Sequence, residues 1–282
     1  MKQLSFLLLS VIFSLVGMGN LNAETIKGNG KIVTKEFDVR DFDEITLSMP
    51  ATVHFTQSDQ YSCSVTIDEN LVPFIGIKVI GDDLSIKQVP SKDGKPLLSF
   101  SMGDKDVSVP KYQYPTLQFT KFEINISAPH LEDVKVNGSG IFVFSTEFSN
   151  VKLDADVNGS GQIIAENGLR VDELDVELSG SGSVKFAQVT AEEVEVTSSG
   201  SGNSTLNGAF DELDLTLMGS GNIKVSGNSK SAKTKVAGSG NIHLGNVSGL
   251  IRYEIAGSGN IYYSGDAEIR GFAAGSGIIQ KK

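Results

Sequence analysis

Carboxylates recur in this sequence at a spacing that could bring them together. Asp133, Asp154, Asp175, Glu195 and Asp214 follow one another at intervals of 21, 21, 20 and 19 residues. At one offset of a stacked repeat they would lie roughly 4.8 Å apart, where like charges oppose each other. Solvent screening relieves that repulsion, and so does a bound cation such as Ca²⁺, which takes carboxylate oxygens. Asp154, Asp175, Glu195 and Asp214 are therefore candidate metal ligands, against the plainer reading of a solvated charged face. Asp172/Glu173, Glu192/Glu193 and Asp211/Glu212 add further pairs nearby. The sign then reverses at Lys233 and Arg252, so Asp214 is expected to pair with Lys233 across coils. The Gly-Gly-x-Gly-x-Asp repeat of Ca²⁺-binding β-rolls is absent.

Tyr112 and Tyr114 are the candidate ligand-contacting aromatics. They lie in residues 89–115, a stretch broken by Pro90, Pro96, Pro110 and Pro115. Such an insertion on a regular scaffold is either a binding loop or a slack surface excursion. The remaining chemistry is sparse. His54, His130 and His243 have no ligand spacing around them, which argues against a metal site of the usual type. Cys63 is the single cysteine; it can form no internal disulfide and reads as a buried, inert thiol. No Gly-x-Ser-x-Gly elbow, Gly-x-Gly-x-x-Gly loop or P-loop occurs, and each of those motifs is needed for its chemistry. Carboxylates are abundant, but nothing singles out a glycoside-cleaving pair. No catalytic residue and no cofactor is assigned, Ca²⁺ being the one candidate ion.

The elements that position these residues are set by one three-residue word. Gly-Ser-Gly begins at Gly138, Gly159, Gly180, Gly200, Gly219, Gly238, Gly257 and Gly275, in steps of 21, 21, 20, 19, 19, 19 and 18 residues. A period near 20 marks a stacked repeat architecture. Around each word apolar residues alternate with polar ones: Val134 and Val136 before Gly138, Phe142 and Phe144 after it, Leu215 and Leu217 before Gly219, Ile223 and Val225 after it. That period of two predicts strands with one buried and one wet face. Each repeat is expected to be a strand, a Gly-Ser-Gly bend, a second strand and a second bend. The fold class is therefore all-β, a single-stack β-solenoid. Ser139 through Ser276 would form one ladder, and Asn203, Asn222, Asn241 and Asn260 another, both structural. Ser198 and Ser204 occupy core offsets around the Gly200 copy, which predicts a local irregularity there.

Residues 1–23 read as a signal peptide, with Lys2 as the positive end, an apolar run over Leu4–Met18, and Leu21-Asn22-Ala23 as the cleavage site. Residues 24–282 form the solenoid: irregular N-terminal coils over 24–128, carrying the insertion 89–115, and regular repeats over 129–282. No later segment could cross a bilayer as a helix. The formal net charge of −10 disfavours nucleic acid and anionic membrane surfaces as partners. A glycan or a protein remains. Oligomeric state is left open.

Phe42-Asp43-Glu44-Ile45-Thr46-Leu47, Val65-Thr66-Ile67-Asp68-Glu69-Asn70-Leu71 and the repeated Gly-Ser-Gly-Asn-Ile at Gly219, Gly238 and Gly257 together resemble the DUF2807 family. This is the putative auto-transporter adhesin, head GIN domain, common in Bacteroidetes. The resemblance runs from about Lys31 to the end. It implies an exported β-solenoid with an adhesive role, no established enzymatic activity and no defined functional residues. Only five residues follow Gly277, so no β-barrel translocator is expected within the chain. The reading that results is a non-catalytic binding or adhesion module of the bacterial cell envelope, placed in the periplasm, at the outer-membrane surface or outside the cell. The alternatives are a polysaccharide-degrading β-helix enzyme and a periplasmic structural or envelope-stress component.

Overall fold

A computed structural model describes residues 25–92, 95–96 and 114–282. Residues 1–23, read above as a signal peptide, Tyr112 and most of the insertion lie outside the described residues. The protein is a β-solenoid of about seven turns with coils of about 20 residues.

Alternation builds each coil. In the strand Lys152–Gly159, Leu153, Ala155 and Val157 are fully buried, while Lys152, Asp154 and Asp156 point outward. Beyond the bend, Gln162–Ala165 buries Ile163 and Ala165 in the same way. A third strand, Leu169–Arg170, then closes the turn. The coil is thus three-sided where the sequence pattern suggests two strands. The two-residue third strand is too short to show alternation. From Ser183 onward the second and third sides run on into the next first side, as in Asn203–Gly219 and Asn222–Gly238. The Gly-Ser-Gly bend breaks each of these long strands from the next, and the register slips within them at points such as Phe186/Val189 and Lys224/Asn228.

Successive coils pair in parallel at equal offsets. Gly159 lies over Gly138, Gly180 over Gly159, Gly219 over Gly200 and Gly238 over Gly219. Gly238 shows why the bend needs glycine. Its φ of 140° lies in a region closed to most side chains, and an added Cβ would strike the backbone of Gly219. The bends are tied by backbone bonds: Ser239 N–H donates to Gly219 O at 2.9 Å and Ser258 N–H to Gly238 O at 2.9 Å. Beside them the asparagine ladder forms as expected. Asn222 Nδ2 donates to Asn203 Oδ1 at 3.0 Å and Asn260 Nδ2 to Asn241 Oδ1 at 3.1 Å. Inside, Phe55, Phe142, Phe144 and Phe148 pack with centroids 4.9 to 6.0 Å apart, filling the N-terminal end of the core.

That end departs from a simple run of early coils. Glu44–Leu47 and Thr52–Gln57 lie directly beneath the coil of Asp133–Gly138 and Ile141–Phe144. The layer beneath them comes from later sequence, Asp83–Gln88 and Phe122–Ala128. Antiparallel strands then cover the edge: Ser62–Asp68 on Phe122–Ala128, Ile32–Phe37 on Ser62–Asp68, and Ile75–Ile80 on Asp83–Gln88. Such a cap protects a strand edge that would otherwise pair with other chains. The fully buried Asp68 fastens it by accepting from Gly30 N and Thr120 N, each at 2.8 Å.

The Gly200 copy is not irregular in its stacking. Gly200 keeps register with Gly180 and Gly219, and the slip falls instead between Phe186 and Val189, where Gln188 has φ 56°. Ser198 and Ser204 are simply enclosed in the core, and neither hydroxyl has a partner. A buried hydroxyl without a hydrogen bond is destabilising. Ser198→Ala and Ser204→Ala are each expected to raise the unfolding free energy by about 1 kcal/mol, measured by urea denaturation. Equal or lower stability in both variants contradicts the assignment.

Candidate functional site

The acidic residues do form one column, on the first side of the coil. Asp83, Glu44, Asp133, Asp154, Asp175, Glu195 and Asp214 pair in succession, followed by Lys233, Arg252 and Arg270. Lys233 Nζ donates to Asp214 Oδ2 at 2.6 Å, as the sign reversal predicts. Lys152 lies 2.9 Å from Asp154, and Lys135 binds Asp133. Asp175 in this column and Asp156 in the column beside it ionise well above the ordinary carboxylate range. Burial, reinforced by Glu195, Asp154 and Glu177, pushes Asp175 up to about 6 despite Lys152. Burial, with Asp133 and Glu177, pushes Asp156 up to about 6 as well. The four candidate ligands Asp154, Asp175, Glu195 and Asp214 stand in line along the stack and do not converge. Among the described residues no three His, Cys, Asp or Glu side chains gather as metal ligands.

Tyr114 is exposed beside Pro115, whose carbonyl accepts from Gln88 Nε2 at 2.7 Å. Its intended companion Tyr112 lies outside the described residues. Cys63 is buried, which pushes its thiol up to about 12. That thiol is inert at neutral pH.

A different feature dominates the third side. Three recesses of about 350, 540 and 370 Å³ share residues at their borders. Thr190 and Ala209 line the first two, and Asn246 lines the second and third, so together they make one groove along the stack. Its floor is a single column in register: Arg170, Thr190, Ala209, Asn228, Asn246 and Ser264. Gly208 and Gly227, which carry no side chains, line the groove in the neighbouring column. Gly208 can carry none, since a Cβ would run into the carbonyl of Val189 beneath.

Polar and charged groups recur along the groove. Asn246 Nδ2 donates to Asn228 Oδ1 at 3.0 Å, and Arg170 Nε reaches Glu147 Oε1 at 2.5 Å. Asp172, Glu192 and Asp211 stand along one rim, with Lys230 Nζ 2.6 Å from Asp211 Oδ2. Hydroxyls, amides and paired charges repeating along a line suit a hydroxyl-rich linear polymer. Sequence reading missed this site, although Gly208, Gly227 and Gly245 recur in steps of 19 and 18 residues. The glycines carry meaning only once the third strand is known.

The raised carboxyls on the first side have a consequence for pH. An unfolded Asp ionises near 4, so the stability each lends is full below about pH 4 and lost as pH rises through about 6. Asp175→Asn is expected to melt at a higher temperature than the parent at pH 8, with the difference vanishing toward pH 4. The same difference at both pH values contradicts the raised ionisation of Asp175.

The match to the DUF2807 family model, described as putative auto-transporter adhesin, head GIN domain, covers residues 41–267. A solved structure described as a putative lipid binding protein from Parabacteroides distasonis is 29% identical, with a TM-score of 0.81 over 92% of this chain and 100% of its own. Two putative adhesins share the fold. One, from Parabacteroides distasonis, is 24% identical with a TM-score of 0.75; the other, from Parabacteroides merdae, is 23% identical with a TM-score of 0.69. Each covers 92% of this chain and 100% of its own. A comparison with curated proteins found no match. None of these relatives is named as an enzyme. A family match over this much of a 282-residue chain settles its membership: the protein belongs to the DUF2807 family, the putative auto-transporter adhesin, head GIN domain.

Proposed function

We propose that the protein is a non-catalytic binding module of the bacterial cell envelope that holds an extended glycan in the groove of its third side. The observation that carries this reading is the floor column Thr190, Ala209, Asn228, Asn246 and Ser264, which repeats small and polar groups once per coil. The adhesin names of the family and its neighbours are consistent with a gripping surface. One neighbour is named for lipid binding. A lipid tail needs an apolar trough, and Phe210, the one aromatic of the middle recess, is buried with 4% exposure. The polar floor therefore favours a sugar chain. Export rests on the leader at Lys2 and Leu4–Met18.

Cleavage of the bound chain is the second reading, since Asp172, Glu192 and Asp211 share the groove with Lys230, and paired carboxylates are the chemistry of glycoside hydrolysis. A panel of envelope and host polysaccharides tests both. Binding to at least one polymer is expected, with no release of reducing ends, and Ala209→Trp is expected to weaken it about 10-fold or more by filling the groove. Exposed Ala209 can be enlarged without disturbing the core. Unchanged binding by Ala209→Trp contradicts the site, and new reducing ends favour the second reading.

A further inference from the structure

The groove ends in a recess of about 370 Å³ whose charge is opposite to that of the whole chain. The formal net charge is −10, yet Lys224, His243 and Lys282 line this recess with no Asp or Glu side chain among its residues. Lys224, His243 and Tyr262 occupy one column on successive coils, with Gln280 next in register, and Lys282 lies two residues beyond Gln280. The groups are organised by direct contact. The rings of His243 and Tyr262 stack with centroids 4.8 Å apart and planes inclined by 15°. Lys282 Nζ lies 4.5 Å from the Tyr262 centroid and 3.1 Å from His243 Nδ1. An ammonium has donors and no acceptor, so His243 Nδ1 accepts and its Nε2 carries the proton. Burial, then Lys282 and Lys224, holds the imidazole below its ordinary range. Two ammonium groups, a neutral imidazole N–H and the nearby Ser226, Asn246 and Ser264 surround an opening that no Asp or Glu side chain lines.

We propose that this recess takes the acid group of an acidic glycan, the carboxylate or sulfate of a sugar whose neighbouring rings continue along the groove. This inference rests on the groove reading and sharpens it to a ligand class. Lys224 and Lys282 supply charge-assisted hydrogen bonds to the oxyanion, His243 adds a donor, and the Tyr262–His243 stack keeps Lys282 in place. A bound anion also offsets the charge that keeps His243 neutral. Its imidazole should then protonate at higher pH in the complex, and affinity should rise as pH falls through the imidazole range.

The experiment is calorimetric titration of the mature protein with oligogalacturonate, a sulfated heparin oligosaccharide, a neutral xylo-oligosaccharide and inorganic phosphate, alongside imidazole titration by NMR. At least one acidic oligosaccharide is expected to bind more tightly than the neutral one. Lys224→Gln with Lys282→Gln is expected to weaken it by about 10- to 100-fold, and the His243 titration should move upward on binding. Equal affinity for acidic and neutral chains overturns the inference, as does an unaffected double variant. Phosphate that competes as well as the oligosaccharides also overturns it, because the recess then recognises a bare anion. The groove reading fails separately, through Ala209→Trp: if that variant binds the neutral or acidic chain as the parent does, the polymer lies elsewhere.

Discussion

The close approach of one glycine bend to the next is the constraint from which the rest follows. At Gly159 an added Cβ would come within 2.7 Å of Gly138 O, closer than any real side chain tolerates. Backbone therefore sits directly on backbone, and the serine N–H of each bend reaches the glycine carbonyl beneath, at 2.8 Å for Ser160 and Ser181. With the bends locked, every other residue of a coil is placed by its distance in sequence from Gly-Ser-Gly. A period along the chain becomes a column in space. The asparagine ladder, the carboxylate column and the floor of the groove are three instances of one rule.

Columns concentrate like chemistry, for good and ill. On the first side, seven acidic positions in succession are relieved only where Lys135, Lys152 and Lys233 reach across, and Asp156 and Asp175 remain partly protonated near pH 6. Repulsion of this kind is tolerable on a wet face. On the third side, small residues repeated in the same way leave a trough. The trough lies beside buried columns such as Leu169 and Val189, so its floor rests on a packed core and keeps its shape without a ligand. A preformed groove loses less ordering entropy on binding than a mobile loop does.

Much of this was legible in the sequence. Alternation around Gly138 or Gly219 gives strands, the bend spacing gives the stack, and the shared offset of Asp214 and Lys233 gives their ion pair. What was not legible has identifiable physical causes. Two-residue strands such as Leu169–Arg170 are too short for periodicity, so the third side and its groove stay hidden. The cap uses Asp83–Gln88 and Phe122–Ala128 beneath Glu44–Gln57, an order that local pattern cannot convey. Ser198 and Ser204 read as defects because their burial is set by neighbouring coils. Lys224, His243, Tyr262 and Lys282 recur in steps of 19, 19 and 20 residues, yet His243 looks isolated when ligand spacing is sought within one strand.

We propose the third side, and not the acidic first side, as the place where this protein meets its ligand. A crystal structure of the mature chain with an acidic oligosaccharide addresses that claim most directly. Sugar rings are expected over Thr190, Ala209, Asn228 and Asn246, with an acid group between Lys224 and Lys282. Sugar, or a sugar-bridging cation, seated on Asp154, Asp175 and Glu195 would contradict it.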